Sequence, residues 1–228
     1  MEITVELGKN SYNITIARGA LAHADTYMNL DRKVLIVTDN GVPAAYAKTV
    51  AACCAMPVTV TIPQGERSKN LQNFELLCRT MLQRGFTRTD CVVAVGGGVV
   101  GDLAGFAAAS FMRGIDFYNI PTTVLSQVDS SVGGKVAIDL DNIKNCVGAF
   151  YQPKAVLIDP EVLSTLPARQ VSNGLAEAVK MAVTFDAALL SLFETDDCLS
   201  HIDEIIAASL RTKAAVVKAD EKEPGLRR

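Results

Sequence analysis

The chain has 228 residues, a formal net charge of −3 and 49% hydrophobic residues. This is enough apolar material to bury a core in one large or two modest domains. The weakly acidic balance, with Lys and Arg scattered along the chain and no long basic run, argues against nucleic acid as a partner. The longest strongly apolar run, Leu103 to Met112, is too short to cross a bilayer, and the first residues lack the order of a signal sequence. We therefore expect a cytoplasmic protein with no membrane partner.

The predicted elements begin with a β-hairpin, since residues 2–7 and 12–17 alternate polar and apolar side chains around Gly8. Short β-branched runs then alternate with helical stretches. The extended runs cover 33–38, 58–62, 91–95 and 117–120, with shorter pieces at 135–139 and 155–159. This alternation predicts an α/β fold with a largely parallel sheet and helices on its faces.

The strand pattern stops at Pro160, and residues 166–219 have the pattern of consecutive helices rich in Ala, Leu and Val. We predict two domains, an α/β domain over residues 1–165 and the start of a helical domain over residues 166–228. Six cysteines without a C-x-x-C pair favour reduced thiols. His23 and His201 are the only histidines, so the usual metal ligand and acid–base group is scarce.

Gly96, Gly98 and Gly101 match G-x-G-x-x-G between a predicted strand and a predicted helix. Such glycines let the backbone approach a pyrophosphate, and the helix N-terminus supplies free N–H donors. Close packing of a strand on a helix also needs glycine, so the motif alone leaves both interpretations open. The same rule nominates Asp116 as the ribose acid, yet Asp116 precedes its strand, which does not fit the Rossmann geometry.

Polar clusters follow four predicted strands, at residues 38–41, 65–69, 96–101 and 121–123. Each cluster alone is typical of a turn or a helix cap, and Asp39 and Ser68 are plausible caps. Because the carboxyl ends of parallel strands meet at one edge of a sheet, the four together favour a nucleotide crevice there.

Several long motifs carry a specific resemblance. The run "GGGVVGDLAGFAAASFMRGIDFYNIPTTVLSQVDSSVGGKVAID", with "PQGERSKNL" before it and "GAFYQPKAVLIDPEVLSTLP" and "NGLAEAVK" after it, resembles the 3-dehydroquinate synthase family. The resemblance is collinear over essentially the whole chain.

The resemblance implies a Rossmann-like NAD-binding α/β domain followed by an all-helical domain, incomplete here, that holds a divalent metal, zinc or cobalt. It also implies a homodimer. The implied reaction belongs to the shikimate pathway of aromatic amino acid biosynthesis and converts 3-deoxy-D-arabino-heptulosonate 7-phosphate to 3-dehydroquinate and phosphate. In this implied reaction NAD is reduced and regenerated within one turnover, and the loss of phosphate makes the implied enzyme a phosphate-eliminating lyase.

The resemblance implies a set of NAD contacts and moves the ribose acid from Asp116 to Asp39. The implied contacts are Asp39, Glu66, Lys69, Gly97, Gly98, Val99, Val100, Gly101, Asp102, Thr122, Thr123, Lys144, Val162, Leu163, Ser164 and Thr165.

The implied substrate contacts suit a phosphorylated sugar acid, because Lys and Arg bind its two anionic ends by charge-assisted hydrogen bonds. They are Arg113, which would reach the substrate of the neighbouring subunit, and Asp129, Lys135, Asn145, Asn173, Lys180, Lys213 and Arg227. Lys135, Lys180 and Glu223 match catalytic positions, and Glu177 matches the carboxylate ligand of the metal. Asn173, Glu177 and Lys180 share one face of a predicted helix.

The chain departs from the family in two respects. Asp139 stands where Asn is more usual and Ile143 where Gly is more usual, which leaves the fit of that loop to the substrate open. Family members are also longer, with two histidine metal ligands in segments after the Gly-Leu-Arg found here at residues 225–227. His23 and His201 are not substitutes for them. We therefore expect the chain as written, whether truncated or interrupted, to bind metal poorly and to be inactive.

Three alternatives stay open. One is another sugar phosphate cyclase such as 2-deoxy-scyllo-inosose synthase, although the run from Gln127 to Lys135 favours dehydroquinate synthase. A second is a polyol dehydrogenase of related fold, which would release NADH. The third is a non-catalytic NAD-binding fragment.

Overall fold

The computed structural model describes residues 1–195 and 197–221. The strands are β1 (Glu2–Val5), β2 (Tyr12–Ile16), β3 (Lys33–Asp39), β4 (Met56–Ile62), β5 (Cys91–Gly96), β6 (Asp116–Pro121), β7 (Lys135–Leu140), β8 (Ile143–Phe150) and β9 (Ala155–Ile158). The α-helices are α1 (Ala24–Tyr27), α2 (Ala44–Ala52), α3 (Leu71–Gln83), α4 (Gly98–Ser110), α5 (Ala168–Phe185) and α6 (Ile202–Ala219). Short helical turns link them, among them Glu66–Ser68, Phe111–Arg113, the π-helical Ser126–Ser130, and Pro160–Thr165.

Seven strands form one sheet in the order β1-β2-β9-β6-β5-β3-β4. Only β1 and β2 pair antiparallel, and every other pair in this sheet is parallel. The predicted opening hairpin and the predicted parallel sheet are both confirmed. Every residue of β5 is buried, as expected for a central strand covered on both faces.

The β7–β8 hairpin corrects the sequence analysis. Residues 135–139 were expected to join the main sheet, but β7 pairs antiparallel with β8 in a separate two-stranded sheet. Val136 and Ile138 of β7 pack on α4, where a Cβ at Gly105 would lie 2.3 Å from Val136 Cγ1. No strand was predicted over β8, because most of it is exposed and it lacks the alternation of a half-buried strand.

The segments after β9 are helical in the part of the chain that the structure describes, and they pack on the end of the sheet that carries β1, β2 and β9. Ile14 of β2 and Ile158 of β9 share a buried cluster with Ala182 of α5 and with Ile205 and Leu210 of α6. The domain boundary at residue 165 stays a prediction. None of the helices over residues 1–195 and 197–221 has the length and apolar character that a membrane crossing needs.

Candidate functional site

A cavity of about 400 Å³ lies where β3, β4, β5 and β6 end. The predicted meeting of four polar clusters at one sheet edge is therefore confirmed. The start of α5 and the turn before it form the opposite wall. The lining residues are Asp39, Gly41, Val42, Pro43, Tyr46, Gln64, Gly65, Gly97, Gly98, Val99, Thr122, Thr123, Leu125, Thr165, Leu166, Pro167, Gln170 and Asn173. We call this the first cavity.

The glycines after β5 divide into two groups. A Cβ at Gly96 would lie 2.6 Å from Val100 Cγ2, and one at Gly101 would lie 3.2 Å from Asn119 Nδ2, so these two glycines serve packing. Gly97 and Gly98, at the start of α4, line the first cavity instead. A Cβ at Gly97 would lie 3.2 Å from Thr123 Cγ2. Packing therefore explains Gly96 and Gly101, whereas the approach of a pyrophosphate to the backbone at Gly97 and Gly98 stays a prediction.

Asp39 lies where the parallel strands end, and Asp116 lies where they begin, on the opposite edge of the sheet. Asp39 ends β3 at the first cavity, and its Oδ1 accepts hydrogen bonds from the backbone N–H groups of Gly41 (2.8 Å) and Val42 (3.2 Å). Asp116 starts β6 and pairs with Arg32 at 2.8 Å. This geometry agrees with the choice of Asp39 over Asp116 as the candidate ribose acid.

The sequence suggested Asp39 and Ser68 as helix caps, and this prediction was wrong for both. Asp39 closes a turn, whereas Pro43 occupies the N-cap position of α2. Asn70, and not Ser68, caps α3, because its side chain accepts a hydrogen bond from the backbone N–H of Asn73 at 2.8 Å.

Two further cavities adjoin each other beside the β7–β8 hairpin. The second cavity has about 600 Å³ and the third about 420 Å³. Asp129, Lys135 and Lys213 line both of them. The second also has Asp102 and Asn145 in its wall, and the third has Glu177 and Lys180. Most of the predicted substrate contacts are thus brought to one region, while Asn173 faces the first cavity.

Carboxylates accompany the lysines of these cavities. Lys213 Nζ lies 2.6 Å from Asp129 Oδ1, with both side chains mostly buried. Lys180 pairs with Glu177 one turn earlier on α5. The carboxylates hold the cations in place, and ammonium groups are donors of the kind that binds anionic ligands by charge-assisted hydrogen bonds.

Lys69 belongs to the segment after β4, and its side chain is buried against Asp102 and Asn145 of the second cavity wall. Only 4% of Lys69 is exposed, and its Nζ lies 2.5 Å from Asp102 Oδ2 and also donates to Asn145 Oδ1. Burial raises the pKa of Asp102 to about 6, although Lys69 acts to lower it; the charges of Glu66 and Asp139 add to the rise. The two acceptors satisfy an ammonium group that would be costly to bury alone.

The other predicted contacts lie around these cavities. Lys144 pairs with Glu66 at 3.5 Å on the surface. Val100 is buried within α4, and Val162, Leu163 and Ser164 belong to the turn Pro160–Thr165, whose last residue lines the first cavity. Arg113 ends the turn Phe111–Arg113 and is absent from the walls of the three cavities. Glu223 and Arg227 lie outside the described residues.

Some lining residues were missed by the sequence analysis. Tyr46 of α2 spans the first cavity, because its hydroxyl donates to the Val162 carbonyl at 3.2 Å and lies 3.1 Å from Thr165 Oγ1. Gln64 lies in the motif PQGERSKNL, so the sequence does carry a signal for it. Tyr46 and Gln170 lie in stretches whose sequence carries no such signal.

The described residues do not supply the ligands that a divalent metal ion needs. Glu177 is the one predicted ligand, and residues 1–195 and 197–221 hold no group of three His, Cys, Asp or Glu side chains able to bind a metal ion. Zinc sites in proteins take at least three protein ligands. The described residues alone therefore do not fit a metal.

Comparison with known sequences decides the family. The model of the 3-dehydroquinate synthase N-terminal domain matches residues 59–173, and that of the C-terminal domain matches residues 174–228. The chain belongs to the 3-dehydroquinate synthase family. The predicted family is thereby confirmed.

Curated relatives carry the same family name. The 3-dehydroquinate synthases of Pelobacter propionicus and Picosynechococcus sp. are 45% and 43% identical over 99% and 98% of this chain. The chain spans 66% and 65% of their respective lengths, slightly less than two thirds.

Solved structures of similar fold include sugar phosphate cyclases and a dehydrogenase. A 2-deoxy-scyllo-inosose synthase complexed with carbaglucose-6-phosphate, NAD⁺ and Co²⁺ has a TM-score of 0.85 and 26% identity, over 96% of this chain and 64% of that one. The 2-epi-5-epi-valiolone synthase of Streptomyces hygroscopicus subsp. jinggangensis, with NAD⁺ and Zn²⁺ bound, has a TM-score of 0.87 and 29% identity, over 98% and 66%. A butanol dehydrogenase of Thermotoga maritima, 18% identical with a TM-score of 0.68 over 90% and 61%, shares the fold alone. The predicted α/β, Rossmann-like fold is confirmed.

Proposed function

We propose that this chain provides the NAD cleft and much of the substrate site of a 3-dehydroquinate synthase. The proposed reaction converts 3-deoxy-D-arabino-heptulosonate 7-phosphate to 3-dehydroquinate and phosphate. One observation carries the proposal: a glycine-lined cleft at the strand ends lies beside cavities lined by Lys135, Lys180 and Lys213. Eight curated relatives at 40–45% identity carry this name, which favours dehydroquinate synthase over the other cyclases.

The first cavity is the proposed NAD site. Gly97 and Gly98 let the pyrophosphate approach the start of α4, where free N–H groups and the helix dipole favour an anion. Asp39 offers a carboxylate to the ribose hydroxyls. NAD, when bound, accepts a hydride from a substrate hydroxyl and later returns it.

The second and third cavities are the proposed substrate site. Lys135, Lys180 and Lys213 bind the carboxylate and the phosphate, and Asp129 fixes Lys213 through their ion pair. Lys135 and Lys180 are the proposed catalytic groups among the described residues, able to move protons at the reacting carbons and oxygens. Asn145 orients the sugar hydroxyls, and Asn173, in the wall of the first cavity, would approach the sugar from the NAD side. Arg113, Glu223 and Arg227 complete the proposed set.

Three further parts of the proposal rest on the family. Zinc or cobalt, the metals bound in the cyclase structures above, would take Glu177 as a ligand. We assign no step to the metal, since residues 1–195 and 197–221 hold no group of three side chains able to bind a metal ion. A homodimer would bring Arg113 to the neighbouring subunit, and the cytoplasm is the location that suits a biosynthetic enzyme using NAD.

Titration calorimetry of the chain with NAD tests the cleft, and a phosphate-release assay with substrate, NAD and zinc tests the reaction. We expect saturable NAD binding, weakened in a Gly97→Val variant that fills the cleft. Absence of binding by the unaltered chain would contradict the proposed site. Stoichiometric NADH accumulation would indicate a dehydrogenase instead.

A further inference from the structure

Asp139 occupies the irregular step of the β7–β8 hairpin. The register shifts between the pairs Ile138 with Val147 and Leu140 with Ile143, and Asp139 is the residue between them on β7. Irregular steps of this kind re-aim side chains and are frequent next to active sites. Across the hairpin lies Asn145, a wall residue of the second cavity.

Asp139 forms two hydrogen bonds that link separate segments. Its Oδ1 accepts the backbone N–H of Asn145 at 2.8 Å, and its own backbone N–H donates to the Lys69 carbonyl at 2.8 Å. The same residue thus fixes the turn of the hairpin and the segment that follows β4.

The backbone conformation of Asn145 needs stabilising contacts. Its φ is +56°, in the left-handed region that Asn tolerates better than most residues but at some cost in free energy. In that conformation its side-chain oxygen accepts from the buried Lys69 ammonium. Without the Asp139 bond, the backbone at residue 145 would lose the hydrogen bond that holds it there.

We propose that Asp139 is a positioning residue, which holds the Asn145 side chain in the wall of the second cavity so that it can contact the sugar phosphate. The identity of that ligand rests on the proposed function, whereas the hydrogen bonds do not. A side chain needs an oxygen atom, but no charge, to accept a hydrogen bond from an N–H group. Asn at position 139 should therefore hold Asn145 as well as Asp does.

The test compares Asp139→Ala and Asp139→Asn in the full chain. Asp141→Asn is the matched control, since Asp141 is an exposed acid of the same turn whose φ of +54° Asn also tolerates. Hydrogen–deuterium exchange reports on the Asn145 amide. Calorimetry measures NAD alone, and then 3-deoxy-D-arabino-heptulosonate 7-phosphate with NAD saturating.

We expect Asp139→Ala to speed exchange of the Asn145 amide and to weaken sugar phosphate binding, each by about tenfold, the scale of one lost hydrogen bond. Asp139→Asn and the control should stay within about twofold of the unaltered chain, and NAD affinity should be the same in all four proteins. Rescue by Asn separates the acceptor role from a general effect of the charge.

Unchanged exchange or unchanged sugar phosphate affinity in Asp139→Ala would overturn the positioning role, as would a failure of Asp139→Asn to rescue. No binding of the sugar phosphate by the unaltered chain with NAD bound would also overturn it. A chain that does not bind NAD contradicts the proposed function instead, and the exchange measurement tells the two failures apart.

Discussion

Lys69 Nζ lies 2.5 Å from Asp102 Oδ2, and this ion pair joins the segment after β4 to the first turns of α4. Lys69 is almost fully buried, and the Asp102 side chain is 23% exposed. Asp102 also lines the second cavity, so the pair contributes to the wall of the proposed substrate site.

Removal of the cation should destabilise the fold in a pH-dependent way. Lys69→Met leaves the Asp102 carboxylate without its partner, which we expect to lower the free energy of unfolding by on the order of 2 kcal/mol at pH 8. The loss should be smaller at pH 5, where Asp102 can take up a proton. Urea denaturation at both pH values measures it. An equal loss at the two pH values would contradict the role given to the Asp102 charge.

The raised pKa of Asp102 predicts a specific pH dependence of stability. The folded-state pKa of about 6 exceeds the ordinary value of 3.8, so between these values the folded chain binds more protons than the unfolded chain. The contribution of Asp102 to the free energy of unfolding therefore falls as pH rises from 3.8 to about 6. Above that range its contribution no longer changes with pH. Asp102→Asn removes the titration, so the variant should lose less stability between pH 4 and 7 than the unaltered chain, by on the order of 2 kcal/mol.

Urea denaturation across pH 4 to 7 measures this difference, and Asp141→Asn serves as a control that removes an exposed acid. Parallel stability curves for Asp102→Asn and the unaltered chain would show that Asp102 titrates normally.

The two candidate ribose acids are separable by mutation. Asp39→Asn keeps an oxygen for the Gly41 and Val42 N–H groups but removes the charge that would accept the ribose hydroxyls. We expect NAD affinity to fall about tenfold, the scale of a charge-assisted hydrogen bond. Asp116→Asn weakens the pair with Arg32 at the far end of the sheet and should leave NAD affinity unchanged. Calorimetry with NAD gives both numbers, and the reverse pattern would restore Asp116 as the ribose acid.

The sequence predicted the parts of the site that depend on local pattern. β-Branched runs followed by polar residues predicted β3, β5 and β6. The parallel arrangement then predicted that Asp39, Gly97 and Thr122 lie close together. The long motifs between residues 63 and 180 predicted the family.

Contacts between distant segments were not predictable from the sequence. Lys69 meets Asp102 and Asn145 across 33 and 76 residues of chain, and periodicity carries no information about such pairs. β8 was missed because its exposed side chains leave no alternating pattern. The irregular step at Asp139 follows from pairing with β8, so it could not be anticipated either.

Gly174 fixes the distance between α5 and the segment after β6. A Cβ at this position would lie 2.4 Å from Val124 Cβ and 2.5 Å from the backbone N of Leu125, and backbone cannot move aside as a flexible side chain could. Gly174→Ala should therefore destabilise the chain by about 2 kcal/mol, despite the gain of about 1 kcal/mol in helix propensity. The helix must shift to relieve the clash, and it carries Asn173, Glu177 and Lys180.

Ser172→Ala is the matched control, because Ser172 is exposed on the same helix and gains propensity without a clash. Urea denaturation should show a lower free energy of unfolding for Gly174→Ala and an equal or slightly higher one for Ser172→Ala. Sugar phosphate affinity should fall in the first variant alone, because only there does α5 move relative to Lys213 and Asp129. If Gly174→Ala instead raises stability as the control does, α5 is free to move away from residues 124 and 125, and the spacing between the two cavity walls is set elsewhere.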